Sequence, residues 1–60
     1  MNKLKVLESI EKYKNLIIQD EKMMDESPND MYWYDDYEIN LSMLKSLEKQ
    51  LITAHFKNNA

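Results

Sequence analysis

The sequence predicts an all-α fold: an antiparallel two-helix hairpin that dimerises into a four-helix bundle. Three observations predict it. The sixty residues contain no glycine, and a β-rich fold of this size needs tight turns that usually place glycine at positive φ. The single proline, Pro28, is the only strong breaker and sits near the middle, leaving room for two long elements. On both sides of it apolar residues recur at helical spacing.

Residues 1–60 make one domain at most. Chains below about 70–80 residues rarely bury enough apolar surface to stand alone, and disulfides, metals or oligomerisation are the usual supports. With no cysteine and one histidine, disulfides and thiolate metal sites are excluded. Oligomerisation or docking on another protein remains, the other escape being an unusually well-packed helical pair. The absence of cysteine is compatible with a reducing cytoplasm. The residues after the basic start are broken by Glu8, Glu11, Lys12 and Lys14, so no secretory signal is expected. The apolar run Leu16-Ile17-Ile18 is far short of the ~18 residues of a membrane span. The expectation is a soluble, cytoplasmic chain with no membrane association. Lysine, asparagine, isoleucine and tyrosine are plentiful while arginine and glycine are absent; this codon bias suggests an AT-rich genome, that of a low-GC bacterium, a phage or a mobile element.

The first helix is expected over Lys3–Asp25, capped by Asn2. Its apolar stripe is Val6, Ile10, Tyr13, Ile17 and Met24, with Leu4, Leu7 and Ile18 along one edge and Leu16 and Met23 off the stripe. Glu8, Lys12, Asn15 and Gln19 fall opposite, and Glu8–Lys12 is an i,i+4 pair in the favourable order. In the connection, Pro28 disfavours helical backbone at Ser27. Ser27 then reads as the N-cap of a second helix with Pro28 at its first position and Asp30 as a capping-box partner. Asp30 is also a second possible N-cap.

The second helix is expected from Pro28 to Phe56 or Lys57. Its seam is Trp33, Tyr37, Asn40, Leu44, Leu47, Leu51 and Ala54, spaced alternately by four and three, a coiled-coil pattern with one polar member. Tyr32, Ile39 and Met43 flank it on one side, and Tyr34, Leu41 and Ile52 on the other. The apolar arc spans roughly 220°, against the ~100° of an ordinary surface helix, so one partner helix cannot cover it. A homodimer is the simplest solution. Self-association is assigned to Ile39, Met43, Leu44, Leu47 and Leu51. The three leucines are buried, either Ile39/Met43 or Leu41/Ile52 meets the second chain, and Asn40 helps to set register. Asp35, Glu38, Ser42, Lys45 and Lys49 fill the solvent face.

No catalytic, cofactor or metal motif is visible. His55 lacks a nucleophile or orienting acid in its local sequence and reads as a packing or cap residue. Asp35, Asp36 and Glu38 lack the alternating oxygens and turn glycine of a calcium loop, and adjacent helical acids point about 100° apart. Ser27, Ser42 and Ser46 have no His–Asp context. Met23, Met24, Met31 and Met43 read as adaptable fillers, a residue type also frequent at binding surfaces.

Charge is unevenly distributed. Residues 23–38 carry Asp25, Glu26, Asp30, Asp35, Asp36 and Glu38 and no lysine, within a net charge of −3. Direct nucleic-acid binding is disfavoured, because phosphate neutralisation needs clustered cations. The acids are interleaved with Met31, Tyr32, Trp33, Tyr34 and Tyr37, and aromatic residues are what binding hot spots tend to contain. A partner surface is therefore assigned to Tyr32, Trp33, Tyr34, Asp35, Asp36 and Glu38, with Tyr32, Tyr34, Asp35, Asp36 and Glu38 as its exposed members. An ordinary helix start with packed aromatics is the plainer alternative. The expected function is a small non-enzymatic regulator or inhibitor that binds a protein partner with a basic surface. The alternatives are a self-assembling helical spacer and an acidic nucleic-acid mimic that blocks a DNA-binding enzyme.

The order helix, short turn, helix in about sixty residues resembles the small sporulation aspartyl-phosphate phosphatases of low-GC bacteria, and Leu7-Glu8-Ser9-Ile10-Glu11 is similar to their first helix. Their distinguishing Ser-Gln-Glu-Leu-Asp run is missing; the nearest stretch is Ser46-Leu47-Glu48-Lys49-Gln50. The resemblance is one of architecture, implies no membership and carries over no residue roles.

Overall fold

The computed structural model describes the backbone of residues 2–59 and the side chains of residues 2–53. Helix α1 spans Lys3–Glu26 and helix α2 spans Met31–Asn59, and the two pack against each other as a hairpin. No strand occurs among the described residues. The long dimension is 49 Å and the others are 14 and 13 Å, which fits a second helix of about 44 Å lying alongside the first.

Each helix end has an identifiable cause. Asn2 has extended backbone, and its side chain accepts from the Leu4 amide at 2.9 Å, satisfying one of the free first-turn donors. At the other end of α1 the Ser27 amide donates to the Met23 carbonyl at 2.8 Å. The connection differs from the expected one. Ser27 closes α1 instead of capping α2, and Pro28 is not the first residue of a helix. Ser27–Asp30 forms a β-turn closed by the Asp30 amide donating to the Ser27 carbonyl at 3.0 Å, with Pro28 at the second position, where its fixed φ is favoured. The Asp30 side chain then caps α2, accepting from the Tyr32 amide at 3.1 Å. A sequence Ser-Pro-Asn-Asp serves a turn as well as a helix start, and here the turn prevails. Helix α2 continues past Lys57 to Asn59.

The buried line of α1 runs Val6, Ile10 and Ile17, continued by Asp20, with Tyr13 and Met24 half-buried in the same spacing. On α2, Trp33, Tyr37, Leu44, Leu47 and Leu51 are half-buried and Asn40 is buried. The leucines expected to be buried are thus only partly covered by α1. The seam member Ala54, along with His55, Phe56 and Lys57, lies outside the described side chains. The α1 edge also differs from expectation. Leu4, Leu7 and Ile18 are exposed, whereas Leu16 and Met23, placed off the stripe, are half-buried. At 100° per residue Leu4 and Ile18 stand well over a quarter-turn from the seam, beyond the reach of one neighbouring helix.

Candidate functional site

Two features stand out on this scaffold: a buried polar clasp in the seam and an exposed apolar column beside acids on α2. The clasp joins Asp20 of α1 to Asn40 and Asp36 of α2. Asp20 is the most buried side chain of the described residues, 1% exposed, and Asn40 is 6% exposed. The Asn40 amide nitrogen donates to Asp20 Oδ2 at 2.8 Å and to Asp36 Oδ2 at 3.0 Å. Both protons of one neutral carboxamide are thereby given to two carboxyl groups. No buried side-chain nitrogen or oxygen among the described residues lacks a partner.

Asn40 was expected to set register between two copies of the chain; instead its amide is engaged within the hairpin. Asp20 was not anticipated as a seam residue. The signal was the seven-residue gap between Ile17 and Met24 in a stripe otherwise spaced by three and four, which Asp20 fills. Counting outward from the Asp20–Asn40 bond in antiparallel sense brings Ile17 level with Leu44, Met24 with Tyr37, Tyr13 with Leu47 and Ile10 with Leu51. A one-residue shift in one helix would turn that helix's polar group about 100° off the seam and leave the other without its partner.

Burial pushes the Asp20 carboxyl above the ordinary carboxylate value. The Asn40 hydrogen bond acts in the opposite direction, and the neighbouring Asp36, through a hydrogen bond and its charge, raises it further. Among the described residues no cation offsets these effects. A carboxyl whose folded pKa is raised favours the folded state fully below its unfolded value, about 4, and that contribution is lost as pH rises through the folded value. Thermal unfolding of the wild type and Asp20→Asn at several pH values checks this. The variant is expected to be the more stable at pH 7, and its advantage should shrink as the pH falls towards 4. A pH-independent difference would contradict the assignment.

The acidic–aromatic segment is only partly a surface. Tyr32, at 61% exposure, and Met31, at 63%, stand open, as do Asp35 and Glu38. Trp33, Tyr34 and Asp36 are half-buried, so Tyr34 and Asp36 differ from the expected exposed set. Trp33 belongs to the seam and meets the Tyr32 ring edge-on, 4.9 Å between centroids and 86° between planes. Asp36 is held by Asn40, so altering it disturbs the helix pairing as well as the surface charge.

Beyond Tyr32 the column continues through Ile39, 62% exposed, and Met43, 43% exposed. Asp35, Glu38, Ile39, Ser42 and Met43 line one open groove on the outer side of α2. On the other flank Ile52 is exposed and Leu41 half-buried. Among the described residues no three His, Cys, Asp or Glu side chains converge as a metal site, and no helix is long and apolar enough to cross a membrane. The chemistry on offer is an apolar strip with acids on its rim.

Comparison with protein-family models, curated proteins and solved structures finds no match.

Proposed function

We propose that the chain is a non-enzymatic interaction protein, a small regulator or inhibitor that binds a protein partner with a basic surface and also pairs with itself, two hairpins forming a four-helix bundle. One observation carries this reading: Met31, Tyr32, Ile39 and Met43 stand exposed on α2 with Asp35 and Glu38 among them. Scattered single apolar residues on a surface need no explanation, but Tyr32, Ile39 and Met43 share one flank of α2 at helical spacing, and Ile39 and Met43 line a groove with Asp35, Glu38 and Ser42. The acids steer a basic partner into place and the apolar groups hold it. Of the expected contact residues, Tyr32, Asp35 and Glu38 have the exposure this role requires. Trp33 lies in the seam, Asp36 is held beside it by Asn40, and Tyr34 is half-buried on the other flank.

Capture from lysate with matched baits tests the reading. A specific partner should be retained by the wild type, released by raised salt and lost with Tyr32→Ala/Asp35→Asn, which spares the clasp. Retention by that double variant equal to wild type would remove this surface from the account. Self-assembly with nothing captured would favour the helical spacer, and salt-sensitive competition with DNA would favour the nucleic-acid mimic.

A further inference from the structure

The outer face of α2 is polarised along its length. Asp35 and Glu38 come first, Ser42 stands in the middle, and Lys45 and Lys49 follow, all exposed. Ile39 and Met43 run beside this row, on the flank that shares the groove with Asp35, Glu38 and Ser42. Such a face is complementary to itself only when reversed. Two copies of α2 laid parallel would set acid against acid and lysine against lysine. Laid antiparallel about a twofold axis near Ser42, they set Ile39 of one copy against Met43 of the other. Glu38 then falls opposite Lys45 of the second copy, and Asp35 opposite Lys49. The twofold repeats each pairing, as a self-complementary interface requires, and the small Ser42 side chain lets the helices approach at the centre.

We propose that the occupant of this groove is a second copy of the chain, its α2 antiparallel to the first and crossing it at Ser42. This rests on the self-association part of the reading above but replaces the closed four-helix bundle with a row of helices, since α1 lies on the opposite side of α2 and the two α2 helices meet at the centre. It has a functional consequence. Asp35, Glu38 and Ile39 serve both the second copy and a basic partner, so Lys45 and Lys49 of the second copy occupy the place a partner's cations would take. Dimer formation and partner binding then exclude each other.

The absence of cysteine from the sequence makes single-cysteine cross-linking clean. In the antiparallel pair residue 42 lies next to its own copy. Residue 46 lies about 12 Å along the axis from its own copy, at 1.5 Å per residue, beyond the ~7 Å that a disulfide can bridge. Under mild oxidation Ser42→Cys should form a linked dimer and Ser46→Cys should not. Sedimentation of the unmodified chain, run alongside, should show a dimer at about 100 µM. Lys45→Glu/Lys49→Glu, which sets acids against acids, should weaken that dimer about tenfold, the scale of a few exposed ion pairs. A dimer in which both cysteines cross-link, or neither does, overturns this arrangement while leaving self-association intact. A monomer at that concentration overturns both.

Discussion

Asn40→Ala is expected to destabilise the hairpin by about 3 kcal/mol at neutral pH, the scale for leaving a buried polar or charged group without its partner. The reason is the position of Asp20, which is 1% exposed and takes its hydrogen bond from the Asn40 amide. A core this small rarely supplies more than about 3–5 kcal/mol, so the variant should be largely unfolded by circular dichroism. Asp20→Leu/Asn40→Leu should refold, because well-packed apolar groups replace a buried polar pair at little cost and sometimes with a gain. The double variant keeps its helices but loses the contact that penalises other registers. Wild-type stability for Asn40→Ala would show that the clasp is open to water.

The second large effect separates two adjacent residues of one type. Ile17 is 8% exposed and Ile18 is 64% exposed. Ile17→Ala should cost about 2–3 kcal/mol, the lower part of the range for truncating a buried isoleucine. Ile18→Ala should stay within about 0.5 kcal/mol of wild type, with alanine's higher helix propensity offsetting what little contact is lost. Denaturant midpoints at one fixed protein concentration make the comparison, since the proposed pairing of chains would add a concentration-dependent term. Equal losses at both positions would mean that the first helix is rotated from the orientation described.

What the sequence made legible and what it hid follow from the physics of a two-helix seam. The helices themselves were readable, because a chain without glycine and with one central breaker has few other options. The seam from Trp33 to Leu51 was readable because its spacing is unbroken. Asp20 was not, because a charged residue on an apolar stripe is identified only by the donor that meets it across the interface. That donor, Asn40, was visible but was assigned to a contact between chains. The turn was misread because proline suits both the first position of a helix and the second position of a β-turn, and only the Ser27–Asp30 hydrogen bond distinguishes them. Of the segment expected to meet a partner, exposure was half legible: Tyr32, Asp35 and Glu38 are exposed, but Asp36 lies one step further round, within reach of Asn40.

The clasp decides which face of each helix points inward, and so which apolar column of α2 is left uncovered. The Asn40 side-chain amide reports on it most directly. In the folded protein its two protons should be resolved by NMR, exchange slowly with solvent and show cross-relaxation to the β-protons of Asp20 on the other helix. An Asn40 amide that exchanges as fast as that of exposed Asn15, with no contact to α1, would contradict the register and the outward face built on it.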